Sequence, residues 1–456
     1  MDYREKLKKN LNASFANFVA TLAIQVAATP IFLKAWGPET YGSWLTVASI
    51  AAVLILGELG LSGVLSNHVV MATHDKKDAD SAVLLSAGSK VVLLGHIALI
   101  VFISIAAATA IDHGWITVSM TVAQVVQLIV AWSVYLLLGF YITALGGVLR
   151  SVGKFVFASY FSTSIRILEF LAMVALLYAG FGPIGVLIGA AVTRLTGVGA
   201  LCIMTAHLAP NFIGSYSTWS GWKSISSIKK ISGAGIATVL LQVASTISNH
   251  WPVLLVGVAL GPVAVATFVA SRTLARIATQ MGSIVSLATN PEFTELLHRK
   301  RLNEASKLLG VLSAGLVAFG LLIAIFVGLA GQSIFSSWTR GHLQAAPALL
   351  VVLTMSGALS GLYGVLLGFV QATNAHRTLA RQNLAMTVVV LGLVSLVPSP
   401  SLELIAVAAL LLDTVCTVLG LHQALRLLDS SFPSFAMSSI QHTWRELRRV
   451  LPGQSH

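Results

Sequence analysis

Twelve apolar segments, each long enough to cross a lipid bilayer, follow one another along almost the whole 456-residue chain. A transmembrane helix needs about 20 consecutive apolar residues. Because hydrocarbon offers no partner to a backbone group, a spanning segment must satisfy its own hydrogen bonds, and these segments are predicted to be helices. They lie at about 11–33, 41–65, 83–110, 118–146, 155–179, 184–208, 231–259, 262–289, 305–330, 345–370, 381–397 and 402–425. The sequence predicts an all-α integral membrane protein with about 12 transmembrane helices.

The charge content excludes a soluble protein. Charged residues make up 10% of the chain, whereas a typical soluble domain has about 25%. The net charge of +12 lies mostly in loops, so it indicates membrane topology rather than a nucleic-acid partner. The basic start MDYREKLKKN leads into an apolar run too long for a signal peptide, which predicts an uncleaved first span. Cys202 and Cys416 lie inside apolar segments and indicate neither a disulfide nor a metal site. No cofactor is expected.

The basic residues alternate between the two sides of the predicted membrane. Loops on one side hold twenty of the 28 Lys and Arg residues: Arg4, Lys6, Lys8, Lys9, Lys76, Lys77, Arg150, Lys154, Lys223, Lys229, Lys230, Arg299, Lys300, Arg301, Arg377, Arg381, Arg426, Arg445, Arg448 and Arg449. Loops on the other side hold only Lys34 and Arg340. The positive-inside rule makes the rich side cytoplasmic. We therefore expect a multi-pass protein of the bacterial inner (plasma) membrane with both termini in the cytoplasm.

The chain also shows signs of an internal repeat. Gly37-Pro38 precedes the second predicted span and Gly261-Pro262 precedes the eighth, about half a chain later. Two halves of six helices each would share one orientation in the membrane. We predict two pseudo-symmetric six-helix lobes around a central cavity, at residues 1–208 and 231–428. A cytoplasmic amphipathic linker at 209–230 and a cytoplasmic tail at 429–456 complete the predicted organisation.

Polar residues form a stripe on the first helix of each predicted lobe. The first stripe is Ser14, Asn17, Thr21 and Gln25, and the second is Thr238, Gln242, Ser245 and Asn249. Spacings of three and four place each set on one helical face. Ordinary hydrogen bonding between helices would explain either stripe alone. Their equivalent positions favour a shared aqueous cavity, with Gln25, Gln242 and Asn249 among the residues that contact a substrate.

Four arginines lie deep within predicted spans, where an isolated charge is costly. Arg166 stands three residues before Glu169 and can pair with it on one face. Arg272 and Arg276 lie four apart on one face of a helix that has no acidic residue to relieve them. Either carboxylates of other helices or an anionic ligand must compensate that pair. We predict that Arg166, Arg194, Arg272 and Arg276 line the substrate-binding cavity.

Three acidic residues also lie within predicted spans: Glu58, Glu169 and Asp413. Each is predicted to be either a counter-ion for the arginines or a titrating group that couples transport to an ion gradient. The residue types and spacings leave both roles open.

Several segments resemble those of the polysaccharide-transporter (Wzx-like) family of the multidrug/oligosaccharidyl-lipid/polysaccharide flippase superfamily. They are FLKAWGPETYGSWLTVASI, GELGLSGVLSN, LGPVAVATFVASRTLARI, NPEFTELLHRKRLNEA and FSSWTRGH, in the family's order through most of the chain. The resemblance implies two six-helix lobes around a central cavity and alternating access driven by an H⁺ or Na⁺ gradient. It also implies an undecaprenyl-pyrophosphate-linked oligosaccharide, an O-antigen or exopolysaccharide repeat unit, as the substrate.

The expected function is therefore a flippase that carries this lipid-linked oligosaccharide to the periplasmic leaflet. A multidrug/toxin-extrusion-type antiporter is the alternative within transport, although deep arginines suit a cationic substrate poorly. A membrane polysaccharide polymerase or ligase is a further alternative, but such enzymes need a large extracytoplasmic loop that is missing here. No enzyme signature occurs in the sequence, so the chain is predicted not to be an enzyme. Expected partners are membrane lipids and other polysaccharide-assembly proteins of the membrane.

Overall fold

A computed structural model describes residues 3–58, 65, 66, 69, 78–210, 223–373 and 375–429. Throughout these residues the regular structure is helical, with eleven α-helices, one 3-10 segment and no strand. The α-helices are α1 (Tyr3–Ala51), α2 (Asp78–Asp112), α3 (Val122–Ser151), α4 (Phe155–Tyr178), α5 (Pro183–Leu208), α6 (Lys223–Leu260), α7 (Pro262–His298), α8 (Leu302–Trp338), α9 (Pro347–Ala372), α10 (Arg377–Ser395) and α11 (Leu402–Leu427). The 3-10 segment, Ala52–Glu58, extends α1. The predicted all-α membrane class is confirmed.

The helices agree with the predicted spans. Ten helical segments of the described chain are long and apolar enough to cross a membrane. The first, Asn12–Glu58, is 47 residues long and covers the first predicted span from Asn12 and the second as far as Glu58. Helix α7, the eighth predicted span, is 37 residues long but is not among the ten, because its two arginines lower its mean hydropathy. The chain is a multi-pass membrane protein.

The two Gly-Pro dipeptides on which the predicted repeat is based lie where the helical geometry is interrupted. Gly37 has φ 75° and interrupts the helical geometry of α1, and Gly261 has φ 82° between α6 and α7. Positive φ is accessible to glycine at little cost, and a following proline disfavours helical geometry at the preceding residue. Gly182, before Pro183, is instead extended, with φ −74° and ψ −179°. The two glycines of the predicted repeat thus share a conformation that the third does not adopt.

The chain forms two compact units, Met1–Ala266 and Thr267–His456. In the first unit α3 packs against α2 and α5, α4 packs against α1 and α5, and α6 packs against α1 and α2. In the second unit α9 packs against α8 and α11, and α10 packs against α11. The predicted linker lies largely outside the described residues, which omit 211–222, and the predicted tail lies outside them beyond Asp429. The division into two six-helix lobes stays a prediction.

Small residues allow close helix contacts in the second unit. Gly282 of α7 lies against the backbone of Gly361 of α9, and Gly357 of α9 lies against the carbonyl of Ala275. Burial of apolar surface does not drive helices together in lipid, so close backbone approach by small residues takes its place. Large apolar side chains instead face outward, as Leu329 does with 86% of its surface exposed. These contacts fix α7 against α9, and α9 in turn carries one of the polar clusters described next.

Candidate functional site

A buried ion pair joins three helices of the first unit. Arg194 of α5 donates through Nε to Glu169 Oε1 of α4 at 2.6 Å and through Nη2 to Oε2 at 2.7 Å. Tyr135 of α3 donates its hydroxyl to Glu169 Oε2 at 2.9 Å. The side chains of Arg194 and Glu169 are only 15% and 3% exposed. A two-pronged, charge-assisted pair of this kind is among the strongest polar contacts a protein makes.

The same arginine also holds Tyr135 in place. Its Nη1 donates to the Tyr135 carbonyl at 3.1 Å, and its Cζ lies 3.4 Å from the centre of the Tyr135 ring. A guanidinium over an aromatic face is attracted by the ring's electron density. Both oxygens of Glu169 are therefore occupied, and the group can hold α3, α4 and α5 together as one element.

Arg166 lies near this ion pair but does not form part of it. Its Nη1 donates to Thr21 Oγ1 at 2.5 Å and to Asn17 Oδ1 at 3.1 Å, so that it links α4 to α1. The pairing with Glu169 that the spacing of Arg166 allows does not form, because Arg194 binds both carboxylate oxygens. Arg166 is exposed, and its two partners are neutral.

The polar stripe of α1 continues past Thr21. Gln25 Oε1 is buried and has no hydrogen-bond partner among the described residues. One turn further on, Thr29 is hydrogen-bonded to Tyr41 at 3.5 Å. A buried acceptor without a partner costs about 1–3 kcal/mol, so Gln25 retains an unused acceptor within this stripe.

The stripe of α6 is less enclosed. Gln242 and Ser245 are exposed, and Asn249 is half-buried and donates to the carbonyl of Ser245 at 2.8 Å. Exposed amides on a membrane helix favour contact with water over contact with lipid. That the stripes of α1 and α6 share one cavity stays a prediction.

A second polar cluster lies in the second unit. Ser356 of α9 donates to Asp413 Oδ2 of α11 at 2.5 Å. Arg272 of α7 interacts electrostatically with Asp413 and with Arg276, and both arginines are half-buried. The sequence left two ways to compensate the arginine pair, carboxylates of other helices or an anionic ligand. For Arg272 the structure supplies the first, the carboxylate of Asp413 on α11. The predicted substrate-binding role of both arginines stays a prediction.

Glu58 is the last residue of the 3-10 segment and is half-buried. Residues 59–64, which follow it, lie outside the described part of the chain. Its role as a counter-ion or coupling group stays a prediction.

Sequence comparison gives no family for this chain, because no family model and no curated protein matches it. Solved structures do match its fold. A multidrug resistance MATE family transporter of the MOP superfamily, in an inward-facing conformation, has a TM-score of 0.67 and 13% identity over 89% of this chain and 94% of that one. The fold is that of the MATE transporters.

Two further structures with the MATE fold agree. The eukaryotic MATE transporter AtDTX14 has a TM-score of 0.62 and 14% identity, over 97% of this chain and 98% of that one. The Vibrio cholerae MATE transporter VcmN, in its bent form, has a TM-score of 0.59 and 14% identity over 95% and 99%. At these identities the likeness shows the fold alone, and the polysaccharide-transporter family named by the sequence resemblance is not confirmed.

The MATE fold corrects the predicted function. The flippase for an undecaprenyl-pyrophosphate-linked oligosaccharide was the main prediction, and it is wrong, because the matching structures are multidrug transporters. The matching structures agree better with the multidrug/toxin-extrusion-type antiporter that was the alternative prediction. They are transporters and not enzymes, which agrees with the prediction that this chain is not an enzyme.

Proposed function

We propose that the chain is a secondary transporter of the MATE type, an antiporter that exports an organic solute in exchange for H⁺ or Na⁺. Its fold supports membrane transport, and its intramembrane carboxylates supply groups that can respond to an ion gradient. An ionisable group within a membrane span is costly and is therefore retained mainly for function. The carboxylate that carries the proposal is Asp413.

Asp413 differs from Glu169 in how its oxygens are used. Both oxygens of Glu169 are held by charge-assisted bonds, so that a proton on it would break the pair with Arg194. Asp413 accepts one bond, from a neutral serine, and its Oδ1 makes no hydrogen bond to the described residues. Oδ1 is therefore open to a proton or a sodium ion. Binding there would remove the negative charge that faces Arg272 and would change the electrostatic balance between α7 and α11.

The Asp413→Asn variant is expected to lose coupled transport while it keeps its fold, because asparagine preserves the shape and the acceptor for Ser356 but cannot titrate. Proteoliposomes with the purified chain are loaded with ethidium, a cation, or in parallel with dansylglycine, an anion, and the efflux of each is followed under an inward pH or Na⁺ gradient. We expect gradient-driven efflux in Asp413→Asn to fall to the rate measured without a gradient, because the group that would exchange the coupling ion has been removed.

Glu403→Gln, in the first turn of the same helix, is the matched control and is expected to keep wild-type efflux. Efflux in Asp413→Asn equal to that of the control would exclude Asp413 as the coupling group. Wild-type efflux that responds to neither gradient would exclude the antiporter.

We also propose that the transporter lies in the bacterial inner membrane with both termini in the cytoplasm. The distribution of Lys and Arg supports this orientation. Single cysteines placed at Ser226 and Ser336 in a variant without Cys202 and Cys416 are expected to react with a membrane-impermeant maleimide from opposite sides. Reaction of both from the same side of intact cells would contradict the orientation.

A further inference from the structure

Arg166 has an unused hydrogen-bonding edge. Its two bonds, to Asn17 and Thr21, both come from Nη1, and within the described chain its Nε and Nη2 make none. The corresponding Nε and Nη2 atoms of Arg194 bind a carboxylate, that of Glu169. Parallel N–H groups match the two oxygens of a carboxylate. Arg166 therefore presents, to open space, the fork that its neighbour uses on a carboxylate.

The position of Arg166 favours water or a polar solute over lipid as the partner of this edge. It is the twelfth residue of the 24-residue α4, which places it at mid-helix. The apolar side chains that α4 exposes include Phe157, Leu168 and Leu171. At about 100° per residue, Arg166 lies about 180°, 160° and 140° around the helix from these three. The exposed guanidinium thus lies on the side of α4 opposite these three apolar side chains, where water or a polar solute is a better partner than lipid.

The charges around Arg166 do not cancel. Arg166 and Arg194 are cationic, Glu169 is the one carboxylate that contacts either of them among the described residues, and Arg166 is close enough to Tyr135 to interact electrostatically with it. The cluster therefore carries one excess positive charge in the middle of a membrane helix. Asn17 and Thr21 fix the guanidinium but supply no negative charge. A bound anion would offset a cost that neutral partners leave in place.

We propose that the Nε and Nη2 edge of Arg166 binds the carboxylate of an organic anion, and that the solute exported by the proposed antiporter belongs to this class. The inference rests on the proposed transport function and names its substrate class. Arg166 binds the charge, and Asn17 and Thr21 are positioning residues that hold the guanidinium from its other side.

The test measures binding to the full-length chain in phosphatidylcholine nanodiscs without any gradient. The probes are dansylglycine and its uncharged amide, which differ only in the carboxylate. Since each factor of ten in affinity corresponds to about 1.4 kcal/mol and a charged hydrogen bond contributes at least that much, the acid is expected to bind at least about tenfold tighter. Arg166→Ala is expected to abolish this difference, and Arg166→Lys to keep part of it, because an ammonium lacks the fork.

A second variant keeps the proposal testable if the removal of Arg166 disturbs the fold. Asn17→Asp places a carboxylate next to Arg166 and satisfies its charge internally, so it is expected to fold at least as well as the wild type and to lose the preference for the acid. Arg299→Ala, which removes an exposed arginine paired with Glu295, is the control and should keep the preference.

The outcomes separate the site from the antiporter. Equal affinities of the wild-type chain for the acid and the amide would overturn the proposed site, as would a full preference for the acid in Asn17→Asp. The expected binding pattern in a chain whose efflux ignores every ion gradient would leave the anion site standing and remove the antiporter.

Discussion

Replacement of Glu169 by glutamine is expected to lower the free energy of unfolding by about 3–5 kcal/mol, the cost of leaving one member of a buried ion pair without its partner. Glutamine has nearly the same shape, so the loss arises from charge and not from a cavity. Arg194 would keep its position at Tyr135 but would face an amide with no negative charge. The measurements are the thermal unfolding temperature and the yield of monodisperse protein in detergent.

A matched control separates burial from pairing. Glu295 also pairs with an arginine, Arg299 at 3.0 Å, but both side chains are 61% exposed. Exposed pairs contribute about 0–1 kcal/mol, so Glu295→Gln is expected to leave stability almost unchanged. Combining Glu169→Gln with Arg194→Gln removes the unpaired charge and should restore part of the loss. Equal destabilisation by Glu169→Gln and Glu295→Gln would contradict the structural role of the buried pair.

The spans could be predicted from the sequence because the signal is local, although α7 and α8 continue beyond the predicted ends at 289 and 330, to His298 and Trp338. A run of apolar residues identifies a membrane helix from its own composition. Gly37-Pro38 and Gly261-Pro262 likewise set their conformations within two residues, and the structure shows positive φ at both glycines. Helix α7 is identified less clearly by composition, since Arg272 and Arg276 interrupt its apolar character.

The partners within the site could not be predicted, because they join separate helices. Sequence spacing relates Arg166 to Glu169 within one helix, yet the carboxylate is bound by Arg194 from the next helix. In the same way α7 has no acidic residue near Arg272 in sequence, and its electrostatic partner Asp413 comes from α11. Spacing can compare residues on one helical face, whereas the choice between helices depends on packing.

Tyr135 could not have been found from the sequence. It lies inside an apolar span, where a tyrosine is commonly a packing residue with a partner for its hydroxyl. Its importance comes from two neighbours, the carboxylate that it donates to and the guanidinium that lies over its ring. Both belong to other helices.

The error in function has a related cause. Among the described residues, the segments that carried the family resemblance include bends and ends of helices: FLKAWGPETYGSWLTVASI contains the glycine that bends α1, and FSSWTRGH spans the end of α8. Such residues report the path of the chain, and one fold can carry several functions. They therefore indicated the fold without indicating which function it carries, and the substrate has to be inferred from side chains such as Arg166.

Introducing a methyl group at Gly282 is expected to destabilise the second unit by about 1–3 kcal/mol or more, as overpacking does. A Cβ at this position would overlap the carbonyl oxygen, carbonyl carbon and Cα of Gly361. No rotamer change can relieve a collision with backbone, so α7 and α9 would have to move apart. Because Gly357 also packs closely on α7, such a shift would disturb the helix that carries Ser356, and Gly282→Ala is expected to lower both thermal stability and gradient-driven efflux.

Gly364 provides the matched control on α9, one turn from Gly361. A Cβ there meets nothing within 4 Å. In a helix interior alanine is favoured over glycine by up to about 1 kcal/mol, so Gly364→Ala is expected to leave stability unchanged or to raise it. The two substitutions add the same methyl group, so the helix-propensity gain cancels in the comparison and only the contact between α7 and α9 remains. Gly282→Ala as stable as Gly364→Ala would show that the two helices are not held in backbone contact.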